Sequence, residues 1–249
     1  LIRTFGNEEL NRAYIPQMYA GEWQGTMALT EPQAGSSLSD ITTTATPVEG
    51  ETYYSIRGQK IYISGGDHNA VENIIHLTLA RLPGAPAGTR GISLFVVPKL
   101  RITANGSLEP NDVTTAGIYG KMGQKGYVAA HLMLGENEDC RGYLVGEPNQ
   151  GLKYMFQMMN EARIGTGLVS AGTASAAYYA SLKYAQERPQ GRHPSAKDVQ
   201  LPQVLIIEHA DVRRMLLLQK AVVEGSLALL LQCSYYADLA RGSSGEEAE

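Results

Sequence analysis

The residues with the most chemistry to offer lie in Met27-Ala28-Leu29-Thr30-Glu31-Pro32-Gln33-Ala34-Gly35-Ser36. This stretch reads as a strand end that breaks into a loop carrying hydroxyls, a carboxylate and a glycine. Backbone amides in such a loop can face a ligand, although a plain solvent-exposed turn has the same composition. A second stretch, Gly58-Gln59-Lys60-Ile61-Tyr62-Ile63-Ser64-Gly65-Gly66, is an alternating strand with an aromatic ring at Tyr62 and a hydroxyl at Ser64. In Met159-Asn160-Glu161-Ala162-Arg163-Ile164-Gly165, Asn160 and Arg163 are three residues apart on one helix face. An amide and a guanidinium so placed can share one ligand, and the same pair is also common on solvated faces. A further helix closes on Glu187-Arg188-Pro189-Gln190-Gly191. Arg188 is a cation where the helix dipole favours one, and its fork can bind two phosphate oxygens.

Other chemistries find little support. His68, His76, His131, His193 and His209 are scattered, none at metal-ligand spacing to another His or Cys. There is no Gly-x-Ser-x-Gly elbow and no phosphate-cradling glycine loop. Cys140 and Cys233 cannot make a disulfide framework and fit a reducing compartment, with Cys233 expected in a helical core. A net charge of −4, from 21 basic and 25 acidic residues, gives no general pull toward nucleic acid or anionic membrane. The apolar run Ala221 to Cys233 is broken by Glu224 and Gln232, so no membrane span is expected.

The elements that must position these residues change character near residue 150. Before it, short runs rich in Val, Ile, Thr and Tyr are punctuated by Gly and Pro. Thr52–Ile56 and Gln59–Ser64 flank Arg57-Gly58 and read as a hairpin; Asn73–Leu82, Gly91–Pro98 and Val128–Leu134 add strands. Strands without intervening helices predict an antiparallel barrel or sandwich. After Gly151, Leu152, Met155, Phe156, Met159 and Ile164 recur at helical spacing, and an Ala-rich stretch continues to Glu187. A polar loop, Arg192–Gln200, leads to a second long helix from about Pro202 to Ala240. Two such helices cannot cover both faces of each other and need further partners. The expected organisation is α+β and multi-domain: the end of a helical domain over 1–22, a β-domain over 23–148, and part of a helical bundle over 149–249.

The first two motifs, at their mutual spacing, resemble the signature loop and strand of the acyl-CoA dehydrogenase family. The resemblance extends from Asn7 to about Ala240. It departs at Ser37, where the family usually has Asp, and at Pro189-Gln190-Gly191-Arg192, which replaces a Phe-Gly continuation. Met158-Met159-Asn160-Glu161-Ala162-Arg163 and the Asp67-His68 loop look most like the larger branch, which includes enzymes oxidising 3-methylmercaptopropionyl-CoA.

The resemblance implies FAD as cofactor and α,β-dehydrogenation of an acyl-CoA thioester, with electron-transfer flavoprotein as acceptor. Met27, Ala28, Leu29 and Thr30 would face the flavin, with Tyr62, Ile63 and Ser64 beside it. Ser36 would contact acyl-CoA near the flavin, and Asn160 and Arg163 would touch substrate. Arg188 and Gln190 would reach the flavin of a neighbouring subunit, implying a homodimer or a dimer of dimers. Glu31 belongs to the loop structure rather than serving as base. Ala162 stands where some members carry the base, and Glu161 lies about 100° away around the helix, so the base is expected beyond Glu249. The chain's ends read as those of a fragment, which alone would be inactive. An acyl-CoA oxidase and a non-catalytic flavin- or acyl-CoA-binding module are the alternatives. The compartment expected is the cytoplasm, or the mitochondrial matrix in a eukaryote.

Overall fold

The computed structural model describes residues 1–193, 195–198 and 200–242; the polar tail 243–249 lies outside them. The chain forms two compact units, Leu1–Met158 and the segment from Met159 onward.

The first unit opens with a short turn of helix, α1 (Ile2–Phe5), and α2 (Glu8–Ala20). Asn7 caps α2 by accepting the Leu10 amide at 2.9 Å, and Glu8 and Glu9 sit at the positive end of its dipole. Gly21, left-handed at φ 76°, stops it. Five strands then close a ring. They are β2 (Thr44–Pro47), β3 (Tyr54–Ser64), β4 (Asn73–Arg81), β5 (Ile92–Pro98) and β10 (Arg141–Leu144). The ring runs β4-β5-β10-β3-β2 and returns from β2 to β4. Ala45, Ile56, Ala80, Phe95, Val97, Leu134 and Cys140 form one buried apolar cluster contributed largely by these strands. β1 (Trp23–Ala28) adds to the free side of β4, while β9 (Ala129–Leu134) and β8 (Val113–Ile118) extend from the second half of β3. A small ribbon, β6 (Leu100–Ile102) with β7 (Leu108–Pro110), completes the strands.

Two β-domain expectations are corrected. Thr52–Ser64 is no hairpin: β3 is one strand of 11 residues. Its first half pairs with β2 and β10, its second with β9, and Gly58 marks the change of partners. A Cβ on Gly58 would come within 2.8 Å of the Thr43 Cα, so the glycine serves close approach rather than a turn. The sheet is also mixed. β1 and β4 run parallel over six registered residues, because the long connection between them lets β4 return beside β1 in the same direction.

The second unit contains most of α3 (Gly151–Glu187) and all of α4 (Ala210–Gly242). Tyr178 and Ala185 of α3 pack with Leu216 and Val223 of α4, and Gly167 allows Leu230 close approach. α4 starts eight residues later than its sequence pattern suggests. Gln190 donates its amide to Val204 at 2.9 Å, and Val204 donates back to Gly191 at 3.1 Å, which holds that segment extended. Cys233 is half-buried, not a core residue. The expectation of no span-like helix is also corrected. An 18-residue window within Ala210–Ala240 has a mean hydropathy of 1.4, and the helix suffices by length and composition to cross a membrane. Lys220 and Glu224, within its apolar run, pair one turn apart.

Gly58→Ala is expected to destabilise the full-length protein by about 1–3 kcal/mol, because Thr43 cannot recede without breaking its bonds to Glu31 and to the Arg81 amide. Urea unfolding measures it, and an unchanged midpoint would show that Thr43 moves freely.

Candidate functional site

A cavity of about 760 Å³ opens in the first unit where β1 breaks into the following loop. Met27, Leu29 and Thr30 line it from β1 and the loop, Tyr62, Ile63 and Ser64 from the end of β3, and Leu77 from β4. Ile15, Met18 and Tyr19 of α2 and Met158 close it further. α2 comes this near because Gly25 has no side chain: a Cβ there would meet Met18 Cε at 2.9 Å. The two motifs, about 30 residues apart in sequence, therefore meet on one wall.

They meet because of a buried ion pair. Lys60 Nζ lies 2.7 Å from Glu31 Oε1, and neither side chain has any exposure. Lys60 also donates to the Leu29 carbonyl at 3.1 Å, and the Ile61 amide to the Thr30 carbonyl at 2.9 Å. Glu31 accepts from the amides and hydroxyls of Thr42 and Thr43 and from the Gln33 amide, at 2.6 to 3.1 Å. Burial alone would raise the Glu31 carboxyl; the Lys60 charge and these donors outweigh it and hold it down at about 2. Burial lowers Lys60 to about 8 against the pull of Glu31, so the pair stays charged at neutral pH. Glu31 is thus a structural anion with no face toward the cavity. Its dense set of donors was invisible in sequence; a lysine on an alternating apolar strand was the one available signal.

Tyr62 owes its position to strain. The β3–β9 register shifts between Lys60 and Ile63, and Tyr62 sits at φ 58°, a left-handed conformation uncommon for an aromatic residue. The bulge turns its ring outward, 59% exposed, against Tyr119 at a centroid distance of 4.2 Å. Thr26, on the β1 wall, bonds His76 Nδ1 at 2.7 Å, and burial lowers His76 to about 4, leaving it neutral. Among the described residues no group of three His, Cys, Asp or Glu could hold a metal.

The remaining sequence candidates fall elsewhere. Ala28 alternates inward from Met27 and packs with Ile63, Ala130 and Leu132, so its side chain does not line the cavity. Ser36 is exposed on the loop and is not among the lining residues. In the second unit, Asn160 Oδ1 accepts from Arg163 at 3.1 Å, so the two share a face as their spacing implies. Arg188 is exposed where α3 ends, and the Gln190 carbonyl lies 2.7 Å from His209 Nε2. Ile15, Met18, Tyr19, Leu77 and Tyr119 were missed because only the tertiary fold brings them here.

Two outcomes follow from this geometry. Glu31's folded value near 2 lies below its ordinary 4.5, so its contribution is complete above about 4.5 and lost as pH falls toward 2. Glu31→Gln should cost about 3 kcal/mol at neutral pH, and the deficit should shrink over that window in pH-dependent unfolding. Curves that stay parallel would contradict the assignment. At position 62, Gly should be more stable than Ala by about 1 kcal/mol, since only Gly adopts φ > 0 without penalty. A thermal melt giving the reverse order would remove the strain argument.

Residues 26–136 match the acyl-CoA dehydrogenase middle domain, and residues 149–248 the acyl-CoA dehydrogenase C-terminal domain. The chain is 46% identical over 247 residues to a butyryl-CoA dehydrogenase of Syntrophomonas wolfei, covering 97% of this chain and 40% of that protein. It is 45% identical over 237 residues to the 3-methylmercaptopropionyl-CoA dehydrogenase of Ruegeria pomeroyi, covering 94% and 39%. The crystal structure of a probable acyl-CoA dehydrogenase from Mycobacterium abscessus has the same fold, with a TM-score of 0.71 at 23% identity over 98% of this chain and 57% of that one. The chain thus spans about two fifths of the length of these curated relatives. FAD is the cofactor of this group. Matches to both domains and these identities show that the chain belongs to the acyl-CoA dehydrogenase family.

Proposed function

We propose that the full-length protein carries out FAD-dependent α,β-dehydrogenation of an acyl-CoA thioester. The observation that carries this reading is the convergence of Thr30, Tyr62, Ile63 and Ser64 on one cavity. Its donor set suits an isoalloxazine: an apolar wall, an aromatic ring, and hydroxyls at Thr30 and Ser64 engaged in no hydrogen bond among the described residues. The flavin, when bound, supplies the acceptor for the two electrons leaving the substrate's α,β bond. Thr30 and Ser64 would hold its polar edge, while Met27, Leu29 and Ile63 exclude water and Tyr62 covers one side. Ser36, on the loop of the first unit, would orient the acyl-CoA.

Among the described residues no carboxylate lines the cavity, and Glu31 is committed to Lys60. The group that takes the α-proton is therefore proposed to come from elsewhere in the full-length chain. A short acyl chain is the first substrate to test, since the two relatives above are named for butyryl-CoA and 3-methylmercaptopropionyl-CoA. Electron-transfer flavoprotein is proposed as acceptor, and a second copy of the chain as the partner of exposed Arg188 and of Gln190. We read α4 as a bundle helix rather than a membrane span because Leu216 and Val223 already pack on α3.

The decisive experiment is turnover of an acyl-CoA panel by full-length protein with an artificial electron acceptor. No reduction with any thioester would sink the reading, and turnover with oxygen alone would assign an oxidase. Thr30→Val should weaken FAD binding by about 1–3 kcal/mol, the cost of losing a buried hydrogen bond. Flavin titration of the deflavinated protein reads it, and unchanged affinity would remove Thr30 from the flavin site.

A further inference from the structure

The loop leaving Thr30 is anchored at its start by Glu31 and Lys60, yet its outer limb carries the exposed hydroxyls of Ser36 and Ser37. Two side chains hold that limb: Gln33, whose Nε2 donates to the Asp40 carbonyl at 3.2 Å, and Arg81, at the end of β4. Its Nε donates to the Ile41 carbonyl at 3.0 Å and its Nη2 to the Ser39 carbonyl at 2.5 Å. The same guanidinium reaches the neighbouring β4–β5 loop, with Nη2 to the Gly88 carbonyl at 2.9 Å and Nη1 to the Pro86 carbonyl at 3.2 Å. The Arg81 amide donates to the Thr43 carbonyl at 2.9 Å, where the limb rejoins the sheet.

Four bonds from one side chain all end on backbone carbonyls, and Arg81 forms no ion pair among the described residues. A guanidinium used in this way fixes the path of the main chain rather than balancing a charge. Only Arg can do so: its planar fork offers donors in several fixed directions, whereas a lysine ammonium is a single point on a flexible stem. Ile41 is buried, so the segment Ser36–Ile41 is held by the packing of Ile41 as well as by Arg81. The two anchors overlap where the limb returns, since Glu31 accepts from the Thr42 and Thr43 amides and Gln33 bonds Asp40; Arg81 adds the hold on Ser39 and Ile41, nearer the serines.

We propose that Arg81 is a positioning residue for the nucleotide-bearing part of the acyl-CoA, acting by holding Ser36 and its loop in place for the thioester's CoA moiety. The inference rests on the function proposed above and adds a positioning residue to it. Loss of the fork removes the hold on Ser39 and Ile41, while the Glu31–Lys60 contacts behind the flavin wall remain.

The test uses full-length flavoprotein, Arg81→Lys, and two substrates: an acyl-CoA and the matching S-acyl-N-acetylcysteamine, which lacks the nucleotide and most of the pantetheine arm. Arg81→Lys should raise KM for the acyl-CoA about tenfold, with kcat and the flavin spectrum unchanged, and leave kcat/KM for the truncated thioester at the parent value. Hydrogen exchange at the amides of residues 37–41 should accelerate in the variant, and Arg81→Gln should reproduce both effects. Equal losses on the two substrates, an unchanged KM for the acyl-CoA, or loss of FAD would each overturn the assignment to Arg81 while leaving the proposed function standing. Full-length parent protein that neither binds nor oxidises any acyl-CoA would overturn the function itself, and the role of Arg81 with it.

Discussion

Two opposite charges lie side by side without exposure to water behind the wall of the cavity, and the rest of the site is arranged around them. Stripping Glu31 and Lys60 of solvent costs several kcal/mol for each ion, and their mutual attraction offsets this only if the remaining lone pairs and protons find partners. They do. Both carboxylate oxygens are saturated by Thr42, Thr43, Gln33 and Lys60, and the ammonium spends a further proton on the Leu29 carbonyl. A half-satisfied pair would be worse than an apolar contact, so the loop can close over Glu31 in only one conformation. That is how a coil segment presents Thr30 on the cavity as rigidly as a strand would.

The strand opposite achieves the same rigidity through local strain. Regular pleating from Lys60 would alternate sides strictly, and the bulge breaks that alternation. It buries Lys60 and Ile61 in succession and sends Tyr62 outward. A left-handed tyrosine persists only where its surroundings over-determine it, and here pairing with β9 on both sides of the bulge does so. The ion pair and the bulge are adjacent in sequence, so the residue that anchors the loop also sets the offset that aims the ring.

The helical unit follows a different logic. The buried part of the contact between α3 and α4 is small, Tyr178, Ala185, Leu216 and Val223, with Leu182 and Val212 packed against it and Leu230 close to Gly167. Leu168, Val169, Tyr179, Leu217, Leu218, Leu229 and Leu231 remain exposed in this chain. A helix apolar on several sides is one meant to be surrounded. That is why α4 meets the length and hydropathy of a membrane span while already packing on a neighbour.

The sequence by itself determined whatever depends on neighbours a few residues away. The helical period after Gly151, the end of α3 at Glu187, the strands near Asn73, Gly91 and Val128, and the shared face of Asn160 and Arg163 were all legible there. So were the two motifs that resemble the family's signature loop and strand. Tertiary structure decided whatever depends on which distant segment becomes a neighbour. Arg57-Gly58 has the composition of a turn, yet β2, β10 and β9 pair along the strand and pull it straight. Pro202 could begin a helix, but Pro189–Gly191 captures the residues after it first. Burial of Lys60 and the four carbonyls around Arg81 could not be read from those residues either. A period records which face of an element is apolar, whereas the identity of what covers that face, and the hydrogen bonds it brings, exist only once the chain has closed on itself.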